Sequence, residues 1–223
     1  MSDSPEQTIV SAIVSAVSEQ RLPPGAKLGE QELSEVFSCN RANVRRALAT
    51  LAALRIVELR PNRGAFVSSP TPKEAKDVFQ ARRALERTIA RQAALNVKPA
   101  DIEELRRDVA EEHRAHADGN QPLALRLSRE FHLKIARIAG NSVLEEFLRE
   151  LTMRTTLIIS LYSKDQNKSC AEDEHAVIVD TLEAGDAELL VQRMDEHLRH
   201  IEAGISFKTR KEPVSNLRNQ LLA

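Results

Sequence analysis

Three histidines occupy inward positions on three separate predicted helices, and together they could bind a metal ion. His132, His175 and His197 each lie three or four residues from an isoleucine or methionine on the same helix, which places them on its apolar face. A single buried histidine is usually a hydrogen-bonded core residue, and that interpretation stays open for each of them. Three imidazoles in one bundle suit zinc, nickel, copper or iron, and they leave a coordination position for a further ligand.

The stretch between residues 41 and 63 is strongly basic. It carries six arginines and one glutamate, whereas the whole chain has 32 basic and 33 acidic residues and a net charge of -1. A local positive patch in a nearly neutral protein is typical of a nucleic-acid contact, although a solvated basic helix face has the same composition. The arginines of this patch are Arg41, Arg45, Arg46, Arg55, Arg60 and Arg63.

The elements that must position this patch follow the order of a winged helix-turn-helix. Apolar spacing predicts three helices, and Asn40 is a favourable N-cap for the third. An alternating segment, a turn and a returning segment then predict a hairpin. The predicted helices are 7–18, 30–37 and 41–54, and the predicted strands are 56–60 and 65–67.

The third helix and the hairpin tip are the expected DNA contacts. Arg41 and Arg45 are four residues apart, so they share one face at the start of the helix, with Arg46 beside them. An arginine at this position can pair with guanine in the major groove or reach a phosphate. Asn62 and Arg63 lie at the tip of the hairpin, where a wing would contact the DNA backbone or the minor groove.

Proline and small polar residues at 68–72 predict a domain boundary, and the sequence beyond it is almost entirely helical. The fold class is therefore mainly α, with a winged helix-turn-helix at 1–69, an all-helical domain of about six helices at 73–207 and a polar tail at 208–223. The predicted helices of the second domain are 73–95, 99–117, 121–139, 141–163, 171–184 and 187–206.

Composition excludes several other classes of protein. Aromatic residues make up 3% of the chain and there is no tryptophan, which disfavours an all-β sandwich and a base-stacking RNA platform. Two cysteines do not make a disulfide framework. The sequence contains no run of about 18 apolar residues, which a membrane span would need. The N-terminus lacks the features of a signal peptide. We therefore expect a cytoplasmic protein with no membrane partner.

The N-terminal residues resemble the GntR family of bacterial transcription regulators. That family has a Leu-x-Pro-Gly-x-x-Leu segment, a Ser-Arg-Thr-Pro-Val-Arg-Glu-Ala-Leu recognition helix and a glycine-containing wing. Here 22–28 read Leu-Pro-Pro-Gly-Ala-Lys-Leu and 40–48 read Asn-Arg-Ala-Asn-Val-Arg-Arg-Ala-Leu, so that Asn43 replaces the proline and Arg46 the glutamate. The resemblance implies a homodimer on double-stranded operator DNA, contacted through Asn40, Arg41, Asn43, Arg45, Arg46, Asn62, Arg63 and Gly64.

The second domain resembles the FCD effector domain of the FadR-type branch of that family. The resemblance rests on 81–86, 130–141, 174–175, 182–186 and His197. In many members an aspartate four residues before the first histidine joins three histidines around a divalent metal, next to a carboxylate effector. Here that position is Ser128, so the resemblance implies a zinc or nickel site of three histidines without the fourth ligand. It also implies that Arg82 and Ser128 face the effector, although Arg82 could instead form a surface ion pair with Glu86.

Together these features predict a ligand-responsive transcriptional repressor, not an enzyme. The alternative is a metal-dependent enzyme in which the three histidines hold a metal that activates water. That alternative needs a general base and a substrate cleft, and it leaves the winged helix-turn-helix unexplained. A dimer module without any effector is a third hypothesis, which a ligand-induced change in melting temperature would separate from the first.

Overall fold

The computed structural model describes residues 4–18, 21–163, 172–207 and 217–222. The described residues divide into two compact units. The first unit comprises Met1–Thr71 together with Phe207–Ala223, and the second unit comprises Pro72–Ser206. In these stretches no helix combines the length and the hydropathy that a membrane crossing requires.

Helices dominate both units. The helices are α1 (Pro5–Ser18), α2 (Glu30–Val36), α3 (Arg41–Ala53), α4 (Pro72–Asn96), α5 (Pro99–Ala117), α6 (Gln121–Ala139), α7 (Ser142–Tyr162), α8 (Glu172–Glu183), α9 (Ala187–Ala203) and α10 (Leu217–Leu222). The strands are β1 (Lys27–Leu28), β2 (Val57–Arg60) and β3 (Gly64–Val67).

The first unit has the predicted helix order, followed by the predicted hairpin. Its strands form an antiparallel sheet of order β1-β3-β2, in which Val57 pairs with Val67 and Arg60 with Gly64. The sequence pattern does not predict β1, because two residues are too few to show the alternation of a strand. A winged helix-turn-helix with a third, very short strand is the result, and it confirms the predicted fold class.

The helix that carries the basic face is fixed from behind by an apolar core. Val44, Ala47, Leu48 and Leu51 on α3 are at most 2% exposed. The helix begins at its predicted N-cap, where the Asn40 side chain accepts a hydrogen bond from the backbone N–H of Asn43 at 2.9 Å. Because the apolar face is buried, the arginines on the opposite face are held towards solvent.

The C-terminal segment departs from the predicted polar tail. Residues 208–216 lie outside the described residues, but 217–222 form the helix α10, which packs on α1 and α2. Leu217 and Leu221 are buried, and the Arg21 guanidinium donates a hydrogen bond to the backbone carbonyl of Gln220. The apolar side of α10 therefore completes the core of the first unit, although it follows the second unit in sequence.

Within its described residues the second unit is a bundle of six helices, α4–α9, as the predicted fold class requires. Asn120, Asn141 and Asp186 cap α6, α7 and α9 by accepting a hydrogen bond from the backbone N–H three residues further on. Every helix contributes to one apolar core. Its members include Ile89, Leu105, Leu133, Leu148, Ile178 and Leu198, one from each helix.

Candidate functional site

The start of α3 presents a basic face to solvent. The side chains of Arg45 and Arg46 are 67% and 60% exposed. Without DNA, Arg45 Nε lies 2.8 Å from Glu30 Oε2 and Arg46 Nε lies 3.4 Å from Glu6 Oε2. Exposed ion pairs of this kind contribute about 0–1 kcal/mol. DNA phosphates or bases can therefore displace these two carboxylates at little cost.

The tip of the wing is the turn between β2 and β3. Asn62 and Gly64 have φ of 56° and 97°, and glycine adopts the latter value without the clash that a Cβ introduces. Arg63 is exposed at this tip, with its guanidinium 6.0 Å from the ring centroid of Phe66, whereas Arg60 stacks over the same ring at 4.5 Å and also pairs with Glu58. Arg63 is thus the wing arginine more free to reach DNA. Whether any of the eight predicted residues touches DNA stays a prediction.

His132, His175 and His197 come together in the second unit. Each is at most 1% exposed, and one ring nitrogen of each lies within 4.8 Å of those of the other two. The Nε2 atoms of His175 and His197 are 3.2 Å apart. The ring of Phe131 stacks on His175 at a centroid distance of 4.2 Å and limits its rotation. The three histidines that the sequence assigns to separate helices therefore lie in one buried cluster, and metal binding by this cluster stays a prediction.

Each histidine is paired with a glutamate that the sequence does not assign to it. In every pair the Nδ1 atom lies 2.7–2.8 Å from a carboxylate oxygen on another helix. The pairs are His132 with Glu86 on α4, His175 with Glu112 on α5, and His197 with Glu174 on α8. Such carboxylate–histidine pairs are the usual support of a metal-binding imidazole.

The charge states within the cluster follow from burial and from these pairs. Burial raises the pKa of Glu86, but the charges of Arg82 and His132 outweigh burial and bring it to about 2. Burial also raises the pKa of Glu112, but hydrogen bonds from its histidine neighbours bring it to about 2. Burial lowers the pKa of His132 to about 3 and that of His197 to about 4. At neutral pH the carboxyls are ionised and these imidazoles are neutral.

This arrangement fits a cation. An ionised carboxylate only accepts hydrogen bonds, so the Nδ1 atom that contacts it in each pair is the donor. The Nε2 atoms of His175 and His197 face each other at 3.2 Å. Among the described side chains nothing lies within hydrogen-bond distance of the buried His132 Nε2. A metal ion could accept a lone pair from each of the three Nε2 atoms.

Arg82 contacts the glutamate partner of His132, and Ser128 lies on the same helix as His132. Arg82 forms the ion pair with Glu86 that the i,i+4 spacing suggests, with 2.5 Å between Nε and Oε1. The side chain of Arg82 is 4% exposed, so this pair is buried and does not lie on the surface. Its Nη2 is buried and has no hydrogen-bond partner within the described part of the chain. Ser128 is half-buried one helical turn before His132, and it offers a neutral hydroxyl at the position where the resemblance noted from sequence implies an aspartate.

Sequence reasoning missed Glu112 because its neighbours are polar. Next to Glu111, His113 and Arg114 it has the sequence surroundings of a solvated helix face, whereas it is 2% exposed and His116 is half-buried beside it. A signal was present, since Glu112 continues the helical stripe of Leu105 and Val109. Glu86 likewise continues the buried stripe of α4, and charged residues on such a stripe predict a buried polar cluster.

Comparison with known proteins gives a family model for each unit. Residues 5–67 match the family model of bacterial regulatory proteins, gntR family, and residues 77–200 match the FCD domain. Three similar proteins are transcriptional regulators. They are the probable D-xylose utilization operon transcriptional repressor of Paenarthrobacter nicotinovorans (31% identical, 83% of this chain and 82% of that one), LutR of Bacillus subtilis (29%, 83% and 94%) and the Uxu operon transcriptional regulator of Escherichia coli (29%, 82% and 77%).

Solved structures agree on the fold. E. coli McbR/YncC superimposes with a TM-score of 0.75 at 20% identity, covering 91% of this chain and 97% of that one. A transcriptional regulator GntR from Rhodococcus sp. RHA1 gives a TM-score of 0.76 at 22% identity, with coverages of 89% and 95%. Residues 5–67 match a family of bacterial regulatory proteins, and the similar proteins named above are transcriptional regulators. The enzyme alternative therefore has no support. The chain belongs to the GntR family of bacterial regulatory proteins, as a DNA-binding transcriptional regulator with an FCD domain.

Proposed function

We propose that this regulator is a repressor that binds a pseudo-palindromic operator as a homodimer in the bacterial cytoplasm. The exposed arginine face at the start of α3 carries this proposal, because its apolar back is fixed in a core while the guanidinium groups stay free to exchange partners. One helix and one wing cover too few base pairs for high selectivity, so two copies on two half-sites are needed. The similar protein from P. nicotinovorans is named a repressor.

Selection of bound duplexes from a random-sequence pool tests this proposal. We expect the selected sites to contain two half-sites related by two-fold symmetry, about one helical turn or a multiple of it apart. Sedimentation of the complex is expected to give two protein chains per duplex. Equal binding to every duplex, or one chain per selected duplex, would contradict the proposal.

We also infer that the second unit holds a divalent metal such as zinc or nickel. His132, His175 and His197 would be its ligands, and three protein ligands leave coordination for an exogenous molecule. The bound metal would act as a Lewis acid that attracts an oxygen ligand. The charges support a dication, since three glutamates and Arg82 leave a net charge of about two negative units around the histidines. A divalent ion would neutralise that charge.

The effector that we propose for this pocket is a small organic acid. Arg82 Nη2 is a buried donor without a partner in the described chain, and a guanidinium matches the geometry of a carboxylate. Ser128 offers a hydroxyl one turn from His132, which could donate to the same ligand. The proposal is therefore that Arg82 and Ser128 bind the acid next to the metal.

Melting temperatures test the effector class. Short-chain mono- and dicarboxylic acids are expected to raise the melting temperature of the zinc-loaded protein, because a ligand at about 100 times its Kd adds roughly 2.7 kcal/mol of stability. The corresponding amides serve as controls of the same shape without the charge. Removal of the zinc by a chelator should abolish the effect. Equal shifts from acids and amides would reject a carboxylate effector.

A further inference from the structure

Three glutamates, Glu86, Glu112 and Glu174, surround the histidine cluster, and none of them is among the proposed metal ligands. Each reaches its histidine from a different helix, so the pairs connect α4 with α6, α5 with α8, and α8 with α9. Glu86 and Glu112 are at most 2% exposed, and the Glu174 side chain is 25% exposed. Three independent pairs of the same geometry on one cluster are unlike the isolated ion pairs on the surface of the bundle.

The geometry at the centre shows why these pairs matter. His175 and His197 bring their Nε2 atoms to 3.2 Å, a distance at which a proton on either atom would form a hydrogen bond to the other. Such a bond would leave one imidazole without a lone pair for a metal. A carboxylate at Nδ1 keeps the proton on the outer nitrogen, because a carboxylate has no hydrogen to donate in return.

We propose that Glu86, Glu112 and Glu174 are positioning residues, which set the tautomer of the three histidines so that all three Nε2 lone pairs converge. This inference rests on the proposed metal centre. At that centre Ser128 stands where the family resemblance implies an aspartate ligand, and the glutamates orient the three remaining ligands before the metal binds. The glutamates do not touch the metal. They act through the imidazoles, by fixing both the ring orientation and the protonated nitrogen.

Glu174 is the glutamate best suited to a test. Glu86 also holds Arg82 and Glu112 is deeply buried, so replacing either would leave a buried group unpaired. Glu174 is partly exposed, with one oxygen on His197 and the other on His200. Glu174→Leu removes the acceptor, whereas Glu174→Gln keeps an acceptor oxygen without the charge. Glu183→Leu on the same helix is the matched control, because Glu183 pairs with Arg106, away from the cluster.

The first readout is the tautomer of His197 in the metal-free full-length protein at neutral pH, from the ¹⁵N chemical shifts of its ring. In the wild type and in Glu174→Gln we expect the proton on Nδ1. In Glu174→Leu we expect it on Nε2, as a donor to His175. A proton on Nε2 of His197 in the wild type, or no change of tautomer in Glu174→Leu, would overturn the proposal.

The second readout is the zinc affinity, measured by competition with a chromophoric chelator. We expect Glu174→Leu to bind zinc about 10- to 100-fold more weakly, Glu174→Gln to recover part of this loss, and Glu183→Leu to match the wild type. An unchanged affinity in Glu174→Leu would overturn the positioning role. If the wild type bound no zinc, the proposed metal centre would fail, while the tautomer measurement would still decide the role of the glutamates.

Discussion

Replacing His175 with alanine is expected to lower the zinc affinity of the protein by roughly 100-fold or more. Loss of a residue that only supports a metal ligand typically costs 10- to 100-fold, and loss of the ligand itself should cost at least as much. His175 is also central to the cluster, since its Nε2 atom lies 3.2 Å from that of His197 and its ring stacks on Phe131. Competition with a chromophoric chelator measures the affinity directly.

Two further variants separate metal binding from folding. His175→Ala leaves the buried carboxylate of Glu112 without this partner, so its melting temperature in the absence of metal must be measured as well. His175→Gln supplies an amide donor for Glu112 and should fold more like the wild type, while still losing the imidazole. His113 lies on the same helix as Glu112 but outside the cluster, so the His113→Ala variant should bind zinc with the wild-type affinity. Wild-type zinc affinity in both His175 variants would reject the metal centre.

Arg45→Ala is expected to weaken binding to the selected operator by about 1–3 kcal/mol and to relax specificity at one base pair in each half-site. The reason is that Arg45 lies on the exposed face at the start of α3, where its weak pair with Glu30 can be exchanged for a guanine edge. Titration of the selected duplex and of a set with single base changes would measure both effects. Arg106→Ala removes the same charge from the second unit and serves as the control.

Arg63→Ala provides the contrast for this measurement. Its guanidinium is at the tip of the wing, so we expect a phosphate contact, whose loss weakens all sequences alike and reduces the slope of log affinity against log salt by about one. A uniform loss for Arg45→Ala as well would assign that arginine to the DNA backbone instead of to a base. No loss in either variant would move the DNA contact away from this face.

The long helices and the inward histidines could be predicted from sequence, because a period of 3.6 residues repeats many times in elements such as α4 and α6. The i,i+4 spacing also predicts the pair between Arg82 and Glu86. Its burial could not be predicted in the same way, since charged residues are exposed by default and only the packing of neighbouring helices removes them from solvent.

The partners of the histidines depend on contacts between helices that are distant in sequence. Glu112 meets His175 across 63 positions of the chain, and no local periodicity encodes that pairing. Two other features were too short to leave a pattern. These are the strand β1, with two residues, and the helix α10, with six.

The position of α10 gives the protein a property that concerns its synthesis. The apolar surface of α1 and α2 that Leu217 and Leu221 cover leaves the ribosome before the second unit, and the helix that covers it leaves after that unit. At about 5–20 residues per second, this delay is on the order of 10–30 s. A nascent chain therefore completes the packing of α10 on α1 and α2 only after translation has passed the second unit, so that a product truncated within that unit lacks part of the core of the first unit.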